Sequence, residues 1–263
     1  MKSVLITGAH GGMGSAAVEY FSNMGWHVFA LDLKVGEAKE NIIPVQADVT
    51  SEESVARAFE YVREKTESLD AVLHFAGIYM LDSLVEMGAE AFDKIFDVNL
   101  RGVFLINRIF LPLLKDGSKI LITTSELAPL DPLPFTGIYA VSKAALDKYA
   151  YSLRMELQLL DISVSVLRAG AVKTDMLGAS TTALDSFCEK TEIYSCNAKR
   201  YKRIVEGVEA RNIEPQRIAK KAYRVLGKRS PAFAYSINRN PLLLLLNALP
   251  KRLQLFIIRM ILK

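Results

Sequence analysis

The chain has 263 residues, 51% hydrophobic and 24% charged, with a formal net charge of +4. That length buries a sizeable core and the composition reads as one globular chain, with no internal repeat or low-complexity linker to divide it. Two cysteines, Cys188 and Cys196, make neither a disulfide framework nor a metal-ligand spacing, which suits a reducing, cytoplasmic setting. The three histidines, His10, His27 and His74, are scattered, so no metal site is expected.

The N-terminus runs from Lys2 straight into a short strand and then glycines, which is no signal-peptide pattern. Charge is unevenly placed. Residues 199–263 hold 16 Lys and Arg against 3 Asp and Glu, whereas residues 1–198 hold 17 against 26. The basic quarter reads either as solvated helix faces or as contact with an anionic surface or ligand.

Residues 3–7 form an apolar strand, and Gly8, Gly11, Gly12 and Gly14 precede a helical pattern that runs to Asn23. Strand, glycine turn and helix start are what a dinucleotide pyrophosphate needs, because backbone N–H groups at the helix start face it. The string Gly12-x-Gly14-x-x-Ala17 begins too far past the strand, so the spacing Gly8, Gly12, Gly14 carries the reading. A second strand, 27–31, ends at Asp32. A carboxylate there accepts from ribose hydroxyls and repels a 2′-phosphate, favouring NAD over NADP, although Lys34 nearby softens this.

The third strand, 42–47, ends at Asp48-Val49, and Thr50 and Ser51 cap a helix to about Thr66. Residues 70–77 form a buried fourth strand closed by Ala76-Gly77. A helix from about Ala89 passes Asn99 toward Leu114. The fifth strand, 118–124, ends at Ser125. In a helix over 138–160, Tyr139 and Lys143 lie one turn apart on one face. An ammonium there favours the phenolate and brings a tyrosine toward use as a base near neutral pH. The sixth strand, 162–167, leads to Gly170, Val172 and Thr174, and residues 230–237 read as the last strand. Strands alternating with helices predict an α/β, Rossmann-type doubly wound parallel sheet of about seven strands, order 3-2-1-4-5-6-7, with helices on both faces. Ligands then bind past the carboxyl ends of the strands, where Gly8, Asp32, Asp48, Gly77, Ser125 and Gly170 all fall.

With Thr7-Gly8-x-x-x-Gly12-x-Gly14, Asp48-Val49, Asn99, Ser125 and Tyr139-x-x-x-Lys143 in this order, the chain resembles the short-chain dehydrogenase/reductase family from about Lys2 to Thr174, and more weakly to Asn238. The resemblance implies Tyr139 as general acid/base, Lys143 as the cation that lowers its pKa and bonds the nicotinamide ribose, and Ser125 as the donor to the substrate oxygen. It implies Asn99 as the holder of a relay water at a helix irregularity. Cofactor contacts are implied for Gly8, Gly12, Met13, Gly14, Asp32, Asp48 (adenine), Val49, Ala76, Gly77, Asn99, Tyr139, Lys143, Val172 and Thr174 (carboxamide). It also implies a homodimer or homotetramer built on the Asn99 and Tyr139 helices. Three departures stand out. His74-Phe75-Ala76-Gly77 replaces the usual Asn-Asn-Ala-Gly. Ala169-Gly170 replaces Pro-Gly and leaves that turn less rigid. The stretch from Ser125 to Tyr139 is about one residue longer than usual and carries Pro129, Pro132 and Pro134.

The domain reading is one catalytic domain over 1–240, with 175–212 as a substrate-covering insertion and 241–263 as an amphipathic tail. Met176, Leu177, Leu184, Phe187, Tyr194 and Tyr201 suggest a hydrophobic alcohol or ketone such as a steroid, retinoid or fatty compound, with core packing as the alternative. In the tail, Lys251, Arg252, Arg259 and Lys263 fall on one side of a helical wheel and Leu253, Phe256, Ile257, Met260 and Ile261 elsewhere. Neither tail piece is long enough to span a bilayer. The tail is expected to lie in a membrane interface, giving a cytoplasmic chain with peripheral membrane contact, or to pack on the substrate mouth or a partner subunit. The leading function is NAD-dependent interconversion of a hydrophobic secondary alcohol and its ketone. The alternatives are a β-ketoacyl reductase docking an acidic carrier protein and a catalytically weak NAD-binding module. No nucleic-acid reading module is present.

Overall fold

Strand β1 (Ser3–Thr7) is buried along its whole length, as expected of a strand covered on both faces. Val4 and Ile6 pack on one side and Leu5 on the other, in two separate core clusters. This two-residue alternation puts one apolar layer on each face of the sheet. The computed structural model describes residues 1–209 and 211–263, and for residues 175–181 and 206–209 the backbone alone.

Seven parallel strands lie in the order β3–β2–β1–β4–β5–β6–β7. They are β1, β2 (His27–Asp32), β3 (Ile42–Gln46), β4 (Leu69–His74), β5 (Leu114–Ser125), β6 (Ser163–Ala169) and β7 (Ala234–Ile237). The order reverses between β1 and β4, and such a switch point opens a crevice at the carboxyl edge. Helices α1 (Gly12–Asn23) and α8 (Pro215–Leu226) cover the Val4/Ile6 face. Helices α2 (Glu52–Arg63), α4 (Gly102–Phe110) and α5 (Gly137–Leu157) cover the Leu5 face.

Several boundaries differ from the sequence reading, among them the start of β7, at Ala234 rather than Ser230. β5 starts at Leu114 rather than Ser118, because Leu114 pairs with Leu69 ahead of a register shift in the ladder. The intervening residues turn through Gly117 at φ +83°, with the Ser118 hydroxyl accepting from Lys115 N–H. The helix expected from Ala89 divides into α3 (Ala89–Phe96), a π turn at Asp97–Arg101, and α4. The π turn is the irregularity anticipated at Asn99, and such bulges gather at functional sites.

Beyond β6 the chain forms α6 (Asp175–Lys190) and α7 (Ser195–Glu209). Leu184, Phe187 and Tyr201 there are buried in a third, smaller cluster with Leu81 and Leu262. The chain ends in α9 (Pro241–Ala248) and α10 (Lys251–Leu262). Asn240 caps α9 through its side chain, which accepts from Leu242 N–H at 2.9 Å.

His74 supplies what the missing asparagine leaves open. Its Nε2 lies 2.9 Å from Asn107 Oδ1 on α4, and Asn107 Nδ2 donates to the Tyr149 hydroxyl of α5 at 3.3 Å. The buried ring therefore ties the sheet to two helices. Burial outweighs the Asn107 bond and lowers the His74 pKa from 6.5 to about 4. The folded chain thus binds this proton less tightly than the unfolded chain. Stability from the neutral ring is present above about pH 6.5 and is lost as pH falls toward about 4, by on the order of 3 kcal/mol. Urea midpoints measured across this window should show that slope, and His74→Asn should reduce it.

Candidate active site

The nucleotide end is built by the turn from β1 into α1. Gly8 sits at φ +67°, and a Cβ there would come within 2.5 Å of Ala76 N. A Cβ on Gly14 would come within 1.9 Å of Gly8 O. Both positions therefore require glycine, and Ala76 N–H reaches back to Thr7 Oγ1 at 3.3 Å. Gly11 holds the N-cap of α1 with no side-chain cap, so the first-turn N–H groups face outward for an anion. Thr174, at the N-cap of α6, packs against Gly12. Its hydroxyl donates to Val172 O at 3.4 Å rather than capping the helix.

A cavity of about 640 Å³ opens beside this loop, lined by His10, Gly12, Ser15, Gly36, Lys39 and Thr174 among others. A second, of about 560 Å³, is lined by Met13, Ser125, Tyr139, Val172 and Thr174 together with apolar residues of the tail. Thr174 borders both. The two adjoin at Thr174, and Asp32, Asp48, Val49, Ala76 and Gly77 line neither of them. The glycine floor and uncapped helix start fit a dinucleotide.

Asp32 Oδ2 accepts from His10 N–H at 2.9 Å, which folds the glycine loop onto the end of β2. Asp48 Oδ1 accepts from Thr50 N–H at 2.8 Å and the Thr50 hydroxyl at 2.7 Å, closing its own turn. Val49 packs against Gly102 at the start of α4.

Around Tyr139 the expected residues converge. Asn99 is fully buried. Its Oδ1 accepts from Ile78 N–H at 2.8 Å, and its Nδ2 donates to Ile78 O at 3.0 Å and Ser142 Oγ at 3.1 Å. The amide thus clamps the segment after β4 to α5. Gly77 lies between Asn99 Oδ1 and Lys143 Nζ, which a Cβ would approach to 3.1 and 3.3 Å. Lys143 is buried, donates to Thr123 O at 3.4 Å, and lies 5.9 Å from the Tyr139 ring centroid. The Tyr79 ring packs on Tyr139 at 4.8 Å.

Burial dominates the electrostatics of this row. Burial pushes the Tyr139 phenol up to about 12, although the Ser125 hydroxyl bonded to it pulls the other way. Burial also lowers Lys143 to about 8. Burial thus raises the cost of both the phenolate and the ammonium, and Lys143 Nζ donates to the Thr123 carbonyl.

Behind this row, Asp147 sits one turn past Lys143. It takes a two-point bond from Arg168 of β6, Nη2 to Oδ2 at 2.7 Å and Nε to Oδ1 at 3.0 Å, and Thr124 Oγ1 donates to it at 3.3 Å. The turn after β6 is firmer than expected. Gly170 N–H donates to Ile237 O at 3.0 Å, and Asn238 Nδ2 donates to Ala171 O and Arg211 O, both at 2.8 Å. These bonds stand in for the missing proline.

The outer pocket differs most from the sequence reading. Leu184 and Phe187 are buried against Phe135, and Tyr194 packs edge-on to it, so these form core rather than wall. Of the suggested residues, Tyr201 lines the pocket, and the side chains of Met176 and Leu177 lie outside the described residues. The wall comes mainly from the tail: Leu243, Leu246 and Leu249 of α9 and its end, and Ile257, Ile258 and Leu262 of α10. The apolar residues of α10 thus divide between a pocket face and an outer face. Glu126, next to Ser125, holds the tail in place: its Oε2 accepts from Asn240 N–H at 2.6 Å. Asn247 Oδ1 accepts from Asp131 N–H at 2.6 Å, and Asp131 pairs with Lys251. Burial raises the Glu126 pKa, against the opposing effects of the Asn240 bond and nearby Arg239. Tyr79, Glu126 and Asn238 carried no motif. The Asn240-Pro241 helix start was readable as a cap followed by proline.

Among the described residues no group of His, Cys, Asp and Glu could hold a metal ion, and no helix is long and apolar enough to cross a membrane.

A family profile for short chain dehydrogenase matches residues 2–185. A versicolorin reductase of Emericella nidulans is 31% identical over 186 residues, covering 66% of this chain and 70% of that protein. Estradiol 17-beta-dehydrogenase 2 of Mus musculus is 32% identical over 192 residues, covering 68% of this chain and 50% of that protein. The crystal structure of a short chain dehydrogenase family protein from Francisella tularensis superposes with a TM-score of 0.75 at 24% identity, covering 90% of this chain and 97% of that one. A glycine-floored cavity at the switch point, a Ser–Tyr–Lys row by the adjoining pocket and a matching profile over most of the chain agree: this protein belongs to the short-chain dehydrogenase family and is an oxidoreductase.

Proposed function

We propose that the protein is an NAD-dependent oxidoreductase interconverting a hydrophobic secondary alcohol and its ketone. The observation that carries this reading is the 560 Å³ apolar pocket with Ser125 and Tyr139 in its wall and Thr174 shared with the glycine-loop cavity. A lipid-like, steroid-sized skeleton suits such a wall, in keeping with the estradiol dehydrogenase named among the relatives.

Bound NAD supplies the hydride acceptor. Gly8, Gly12, Met13 and Gly14 cradle the pyrophosphate, Asp32 takes the adenosine ribose hydroxyls, and Asp48 with Val49 borders the adenine. Ala76, Gly77, Val172 and Thr174 hold the nicotinamide half. In oxidation Ser125 Oγ bonds the substrate oxygen and Tyr139 Oη accepts its proton as the carbinol carbon is oxidised. Lys143 stabilises the resulting phenolate, and Asn99 is a positioning residue that sets α5 against Ile78. In reduction the phenol returns the proton. The family's oligomeric habit is supported by Phe92, Phe104, Val141, Tyr151 and Met155, exposed on α3, α4 and α5.

A panel of hydroxysteroids, retinols and long-chain secondary alcohols, followed by absorbance of the reduced cofactor, tests this reading. The expected result is turnover of hydrophobic members, with kcat/KM higher for NAD than for NADP. An NADP preference would remove the proposed role of Asp32, and indifference to hydrophobicity would remove the substrate class.

A further inference from the structure

The tail helices turn an apolar face to the pocket, and α10 carries a mixed outer face on which exposed apolar side chains alternate with Arg252 and Arg259. On that outer face, Leu255, Phe256 and Met260 are 68%, 61% and 64% exposed and take no part in the pocket wall. The two faces meet at the pocket mouth, because Leu242, Leu245 and Ile261 line the pocket and are themselves exposed. An open apolar rim that continues into exposed apolar side chains is costly in water. The tail's own charge is of one sign: residues 241–263 hold Lys251, Arg252, Arg259 and Lys263 and no acidic residue, and Lys251 is paired with Asp131. Basic side chains beside exposed Leu, Phe and Met on short helices suit the plane of an anionic bilayer interface.

We propose that α9 and α10 dock on an anionic membrane surface and set the pocket mouth against the lipid, so that the substrate moves between bilayer and active site without crossing water. The substrate part rests on the proposed function; the docking does not. With α10 lying in the interface, Leu255, Phe256 and Met260 enter the headgroup–acyl boundary and Arg252 and Arg259 remain at the phosphates. Glu126 and Asp131, bonded to the start and end of α9, hold the helices in this posture around the mouth.

Full-length protein is mixed with vesicles of phosphatidylcholine, alone or with phosphatidylglycerol added, and binding is read by co-sedimentation without any turnover. Binding should require the anionic lipid and weaken with salt. Arg252→Gln with Arg259→Gln should lower the partition coefficient roughly 30-fold, about 5-fold for each cation. Leu255→Gln with Phe256→Gln should lower it by at least about 10-fold. The melting temperature and turnover of a small water-soluble alcohol should be unchanged in both. If the second variant unfolds, the arginine pair, fully on the surface, decides. Intact protein that stays in the supernatant with anionic vesicles overturns the proposal, as do variants that sediment like the parent. Vesicle-free self-association abolished by Leu255→Gln with Phe256→Gln also overturns it, assigning the face to a second copy. A protein that binds vesicles but turns over no alcohol would refute the enzymatic reading and leave the docking intact.

Discussion

Tyr139→Phe is expected to lower kcat by about 10²–10⁴, the usual share of a positioned acid/base, with cofactor binding retained. The substitution removes one hydroxyl and keeps the ring, so packing on Tyr79 persists. What is lost is the proton acceptor at the pocket wall and its bond to Ser125. The height of the free phenol's pKa, about 12, sharpens the expectation. A phenol that burial holds protonated is a poor base until positive charge gathers beside it, and Lys143, buried and lowered to about 8, sits one helical turn away. The pair should titrate as a unit, so the pH profile of kcat/KM belongs to both residues. Activity retained in the phenylalanine variant would remove Tyr139 from the chemistry, whereas loss of cofactor binding would show that the residue builds the crevice.

The second large effect is on stability. Asp147→Leu should cost about 3 kcal/mol, because it leaves Arg168 charged and unpaired in a mostly buried place between α5 and β6. Thr124 loses an acceptor as well. A combined Asp147→Leu, Arg168→Leu chain should recover much of the loss, since an apolar pair has no orphaned charge. Urea unfolding with a double-mutant cycle measures both terms. Activity should fall with the single change, because this bond fixes the helix that carries Tyr139 and Lys143. Equal destabilisation by the single and double changes would mean that packing volume, and not the ion pair, matters here.

The sheet was legible in the sequence because its signals are local. Val4, Leu5 and Ile6 read as a strand, Gly8 and Gly14 as a turn that admits no side chain, and Tyr139 with Lys143 as one helix face. The order of the strands followed from their alternation with helices. Less legible were features made by distant segments. The sequence marks His74 as a departure, but only the fold shows Asn107, 33 residues further along, as its partner, and Tyr149, 42 residues beyond that, as the partner of Asn107. Leu184 and Phe187 look like pocket lining until they are seen buried in a separate cluster, against which Phe135 packs at a left-handed φ of +66°. Helical periodicity in α10 could not distinguish a solvent-exposed face from a pocket face, and this helix has one of each. Glu126 gave no signal at all, because its partner is the N–H of Asn240, 114 residues away.

The most direct test of the account uses a hydrophobic secondary alcohol bearing deuterium at the carbinol carbon, with the reduced cofactor recovered and weighed by mass spectrometry after turnover. The account predicts that the deuterium is found on the nicotinamide ring, and that it is absent when Tyr139 is phenylalanine. Turnover that leaves the cofactor unlabelled would contradict it.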